Sequence, residues 1–114
     1  MLDWTTVCRL DELRPDRGAA VLVDGQQIAV FRLASGEVYA VAHKDPVTGA
    51  NVMAHGIVGD RGGVATLASP LHKQVYDLRT GAALDGSGRG LATWDVRNDG
   101  GRISLRALRL ARAA

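Results

Sequence analysis

The first half of the chain alternates between apolar runs and short polar turns. In GAAVLVDGQQIAVFRLASGEVYAVAH the runs cover Ala19 to Val23, Gln27 to Leu33 and Val38 to Ala42. Successive side chains of a strand point to opposite faces. Ile28, Val30 and the stem of Arg32 therefore share one face of the second run, and Ala29, Phe31 and Leu33 share the other. A strand that is apolar on both faces is covered on both sides, so this one is expected to be central. Asp24-Gly25 separates the first two runs. A type I′ turn needs positive φ at both central residues, which Asp-Gly tolerates; a hairpin is predicted there, and a second across Ser35-Gly36.

Further strands are expected at Gly63 to Leu67, Gln74 to Leu78, Ala92 to Arg97 and Arg102 to Leu108, the last two joined by Asn98-Asp99-Gly100-Gly101. With an N-terminal strand carrying Cys8, the count reaches seven or eight. Helical signal is confined to one turn over Leu10 to Leu13, with Asp11 as N-cap before Glu12 and Pro15 closing it. The tail LRALRLARAA is rich in helix formers, but Leu105 continues a strand pattern and residues 109–114 are expected to fray. Short strands punctuated by Gly, Asp and Asn indicate an all-β antiparallel sandwich or barrel and not βαβ units. One domain is expected over residues 1–114, with its core between about residues 4 and 108.

Two irregular segments interrupt this regularity: KDPVTGANVMAHG, Lys44 to Gly56, and ASPLHKQ, Ala68 to Gln74. Each follows a predicted strand and contains a proline, which removes a ladder donor and fixes a turn. Loops held by a rigid scaffold carry function more often than the strands beneath them.

Composition narrows the classes. A domain of 114 residues buries enough surface to fold without a disulfide or metal staple. Its 23% charged and 46% hydrophobic residues are ordinary for a soluble domain, and no apolar run approaches the ~20 residues needed to cross a bilayer. The single cysteine, Cys8, rules out an internal disulfide and is expected to be a small buried apolar group. With no basic-then-apolar leader, the cytoplasm is the expected compartment. The net charge of +2 is scattered, and only the tail, with Arg97, Arg102, Arg106, Arg109 and Arg112, is locally basic. Without interleaved aromatics it does not read as a nucleic-acid surface.

Several residues invite a chemical reading. His43, His55 and His72, with Asp45, would suit zinc if the loops converge, although their spacing matches no compact zinc motif. Ser69 and His72 lack the glycine pattern of a nucleophile elbow. Gly59-Asp60-Arg61-Gly62-Gly63 reads as a strand-to-strand turn, because no helix start or Lys-Ser/Thr follows it. Trp4 and Trp94 are expected to fill the core or cover its edge.

Taken together, the two irregular segments resemble the cluster-binding loops of the Rieske iron–sulfur family, in which Cys-x-His ends one strand and Cys-x-x-His ends a later one. The resemblance places the first motif on Asp45-Pro46-Val47, after YAVAHK, and the second on Ser69-Pro70-Leu71-His72, before YDLRTG. The four ligand positions are then Asp45, Val47, Ser69 and His72, of which only His72 is a ligand type. A [2Fe–2S] centre needs four protein ligands and the charge of two thiolates, so none is expected here.

The phrases DPVTGANV, NVMAHGIVGDRGG and SPLHKQVYDLRTG are similar to the small subunit of assimilatory NAD(P)H-dependent nitrite reductase, from about Trp4 to Leu105. The resemblance implies a Rieske-like fold with a degenerate cluster-binding tip. It also implies a large-subunit partner carrying FAD, an iron–sulfur cluster and siroheme, with no cofactor, membrane or nucleic acid attached to this chain. Asp45, Pro46, Asn51, Pro70, His72, Lys73 and Gln74 become the candidate docking residues, and hydrogen bonds from Asp45 or Ser69 are expected to tie the loops together in place of a metal. The alternatives are a Rieske-type ferredoxin feeding an oxygenase, and a free-standing binding module on the same fold.

Overall fold

The computed structural model describes residues 3–71, 73–84 and 89–107. Among them the strands are β1 (Thr5–Arg9), β2 (Arg17–Val23), β3 (Gln26–Arg32), β4 (Val38–Ala42), β5 (Ile57–Arg61), β6 (Val64–Ala68), β7 (Val75–Asp77), β8 (Thr93–Asp99) and β9 (Arg102–Ala107). Six form one sheet in the order β1-β9-β8-β4-β3-β2, and β5-β6-β7 form a second. All the strand pairs are antiparallel. The two edges of the large sheet, β1 and β2, come into contact, so it curls into a nearly closed barrel.

β3 is paired on both sides, and its two faces feed two cores. Ala29, Phe31 and Leu33 pack with Met53, Leu67 and Tyr76 between the sheets. Ile28 and Val30 pack with Leu13, Ile103 and Leu105 inside the curl of the large sheet. The Arg32 stem follows that second face, and its guanidinium donates to the Leu10 and Leu13 carbonyls at 3.3 and 3.1 Å. The Asp24-Gly25 hairpin forms as expected, with φ of 50° and 79°.

The structure differs from the sequence reading in four places, the first being Cys8, which is only half-buried against the second core. β5 occupies what read as a broad turn, which narrows to Gly62-Gly63. IVGDR hides its strand because it borders water: Val58 is its only partly covered residue, so no apolar alternation marks it. The helical turn is a 3-10 turn at Leu10–Glu12, and Asp11 is not its cap; the Glu12 Oε1 instead reaches back to accept the Arg9 amide at 2.8 Å. Trp94 packs at the rim of the second core, whereas Trp4 lies against two cations, with the Arg97 and Arg106 guanidinium carbons 4.5 and 4.4 Å from the centre of its ring. Leu108 and the tail lie outside the described residues.

Candidate functional site

The two irregular segments leave β4 and β6, and their first residues fold by one rule. In Asp45-Pro46-Val47-Thr48-Gly49-Ala50 the Asp45 amide donates to the Ala50 carbonyl at 2.7 Å, and the Gly49 amide donates back to the Asp45 carbonyl at 2.8 Å. The Asp45 Oδ1 accepts the Val47 amide at 2.8 Å. In Ser69-Pro70-Leu71-His72-Lys73-Gln74 the same three bonds recur: Ser69 amide to Gln74 carbonyl at 2.9 Å, Lys73 amide to Ser69 carbonyl at 3.0 Å, and Leu71 amide to Ser69 Oγ at 3.3 Å. A side-chain oxygen that caps the amide two residues on gives this kind of turn its shape without outside help.

After β7 the turn appears a third time. In Asp77-Leu78-Arg79-Thr80-Gly81-Ala82 the Asp77 amide donates to Ala82, the Gly81 amide donates to Asp77, and Asp77 Oδ1 accepts the Arg79 amide, at 2.8, 2.7 and 2.8 Å. The fifth residue of each turn has positive φ: Gly49 at 80°, Gly81 at 79° and Lys73 at 59°. That conformation suits glycine and strains any residue bearing a Cβ. Burial pushes the Asp77 carboxyl up, but the amides of Arg79 and Thr80 and the Arg79 guanidinium outweigh it and hold the group below its ordinary value.

The first two turns meet. Ser69 Oγ donates to Asp45 Oδ2 at 2.6 Å, and both residues are 1% exposed. His43 follows the end of β4 and is itself buried. Its Nδ1 accepts the Ala54 amide at 3.0 Å, and its carbonyl accepts the amides of Val52 and Met53 at 2.9 Å. His43 is thus a clamp between β4 and the 3-10 turn at Met53–His55, with its proton on Nε2. Burial, and then the nearby His55, lower its pKa.

Asp45, a docking candidate, is enclosed, and any part it takes in docking passes through the loop it holds. Asn51 and Lys73 are exposed, while Pro46, Pro70 and Gln74 are half-buried. His72 lies outside the described residues. Sequence reading treated Val47 only as a ligand position and passed over Leu71, yet the two stand in water at 52% and 47% exposure. It also overlooked the turn shared by DPVTGA and DLRTGA, although both strings can be read directly from the chain.

The donor set at the tip does not fit a [2Fe–2S] cluster. Val47 has no donor atom, the Asp45 oxygens serve two amides and a hydroxyl, and the Ser69 hydroxyl is bonded to Asp45. Among the described residues no group of three His, Cys, Asp or Glu side chains is placed to hold a metal ion. The His43 and His55 rings lie 6.2 Å apart, and the His43 Nδ1 is already occupied by an amide.

A family model described as the Rieske-like [2Fe-2S] domain matches residues 3–106. Over 107 residues the chain is 32% identical to the nitrite reductase (NADH) small subunit of Salmonella typhimurium, covering 93% of this chain and 99% of that protein. This chain is a Rieske-like domain of the nitrite reductase small-subunit family. The Rieske-like fold also superimposes on a structure assigned to the NADH-dependent nitrite reductase small subunit of Mycobacterium tuberculosis, with a TM-score of 0.90 and 44% identity over 96% of this chain and 99% of that one. A further relative is the nitrite reductase NAD(P)H large subunit of Klebsiella oxytoca, 35% identical over 100 residues. That match takes in 88% of the Rieske-like chain but 10% of the large subunit. Among the described residues no helix is long and apolar enough to cross a membrane.

Proposed function

We propose that this chain is the non-redox small subunit of a cytoplasmic NAD(P)H-dependent nitrite reductase of nitrate assimilation, and that it docks on the large subunit through the two loop tips. The reduction of nitrite to ammonia belongs to the partner, with its FAD, iron–sulfur cluster and siroheme. The observation that carries the reading is what the tip residues are engaged in. Both capping side chains are spent on amides and on each other, and what the tip offers outward is apolar Val47 and Leu71 beside Lys73.

Two further facts support it. A rigid loop pair loses little conformational freedom on contact, so its surface converts into affinity efficiently. A segment similar to this chain also lies within the Klebsiella oxytoca large subunit, so a domain of this kind occurs in one chain with the rest of that protein.

The test is co-expression with the large subunit. Affinity capture of this chain is expected to recover a partner bearing flavin and siroheme, nitrite-dependent NAD(P)H oxidation is expected to need both chains, and this chain alone is expected to be colourless. Full activity of the large subunit by itself would refute the requirement. A brown preparation with the paramagnetic signature of a reduced binuclear centre would favour the electron carrier instead.

A further inference from the structure

The three sister turns differ in where the second oxygen of the capping residue goes. At Asp77 the Oδ2 meets the Arg79 guanidinium of its own turn, at 3.4 Å. At Asp45 the Oδ2 leaves its own turn and accepts the hydroxyl of Ser69, which is itself the cap of the other loop. We propose that Asp45 and Ser69 are the positioning pair of the tip. Their bond ties the two turns together, and it fixes the spacing and relative orientation of Val47, Leu71 and Lys73.

The geometry favours a tie over incidental packing. Each residue is fixed before it meets the other, Asp45 by the Val47 and Thr48 amides at 2.8 and 3.4 Å and Ser69 by the Leu71 amide. A hydrogen bond to a carboxylate is short and strong, and an enclosed one is shielded from competing water. The bond joins residues 24 apart in sequence, so it constrains two loops that share no strand. A metal held between four loop ligands would impose the same constraint, and the donors present here impose it without one.

Amide hydrogen exchange of the isolated chain tests the tie, because Ser69 caps no amide of the first loop. In Ser69→Ala the Val47 and Thr48 amides are expected to exchange roughly tenfold faster or more, the loss appropriate to a bond to a charged group. Ser69→Thr, which keeps the hydroxyl, is expected to restore most of their protection. Asp45→Asn, read at Leu71 and Lys73, asks the same question in the other direction if Ser69→Ala does not fold, and Asp77→Asn is expected to leave both loops unchanged. Faster exchange at Leu71 alone in Ser69→Ala would overturn the tie.

The link from tie to docking rests on the proposed function. Affinity for the large subunit is therefore measured separately on the same variants. Loosened loops with unchanged affinity support the tie and refute the tip as the docking face, whereas unchanged loop exchange refutes the tie whatever the affinity does.

Discussion

Lys73→Gly separates the two demands on the tip. Lys73 holds φ of 59° at the fifth position of its turn, where the sister turns place Gly49 and Gly81. An L-residue in the left-handed region costs roughly 1–2 kcal/mol. Glycine removes that strain but gives the unfolded chain freedom worth about 0.4–1 kcal/mol. The exposed side chain packs against little, and the amide bond to the Ser69 carbonyl needs no side chain. The variant is expected to be about 0.5–1 kcal/mol more stable in urea unfolding followed by far-UV circular dichroism, a rise of roughly 3–6 °C in Tm for a domain of this size. Affinity for the large subunit is expected to fall. Lys73→Ala removes the charge and keeps the backbone strain, so it is expected to lose affinity with no gain in stability. A less stable Lys73→Gly would mean that the lysine supports the fold rather than straining it, and an unchanged affinity would remove Lys73 from the interface.

Three further outcomes follow from particular contacts. A Cβ at Gly81 would sit 2.0 Å from the Leu91 carbonyl oxygen, whereas at Gly49 it would meet only the Lys44 side chain at 3.9 Å; with φ nearly equal, Gly49→Ala is expected to cost about 1 kcal/mol and Gly81→Ala about 3 kcal/mol or more in the same urea assay. The pKa of His43 is lowered from 6.5 by burial and by His55, so the folded state binds fewer protons than the unfolded one. Stability is expected to be full above pH 6.5 and to fall as the pH drops through the folded pKa, and His43→Asn, which keeps an acceptor for the Ala54 amide, is expected to flatten that limb of the stability-against-pH curve. Leu71→Asp and Val47→Asp place a charge at exposed positions, so each is expected to leave the unfolding free energy within ~0.5 kcal/mol of the parent while weakening capture of the large subunit; an unfolded variant or undiminished capture would contradict the exposure or the role.

The large sheet was legible because its strands bury residues. β3 carries apolar side chains on both faces, and Asp24-Gly25 states its own turn chemistry. β5 was illegible for the opposite reason, since a strand that buries almost nothing leaves no period in the sequence. At the tip, the resemblance drew attention to Asp45, Val47, Ser69 and His72 as positions for ligands, and the structure gives the first three uses that a ligand count does not reveal. Asp45 and Ser69 are turn caps, and Val47 is an exposed apolar group between the first cap and its glycine. The repetition of DPVTGA and DLRTGA was the available signal, because Asx capping depends on residues close in sequence. A tie from Asp45 or Ser69 was expected, but that the two side chains bond to each other depends on the packing of two sheets and needed the fold to be seen.

The same turn in three places shows that the backbone of the tip does not depend on the ligand types of the Rieske pattern. The turn asks for an oxygen at its first position, one amide two residues on and a left-handed fifth residue, and none of these requirements involves a metal. A change at the first position that supplies Asp or Ser therefore preserves the backbone, and two such changes that face each other supply a bond across the gap. The third position carries no such duty: the caps take its amide and leave its side chain to solvent. Val47 and Leu71 both occupy that position, and both present an apolar group outward. Replacing the ligand types at the first and third positions then needs no change in the strands beneath them.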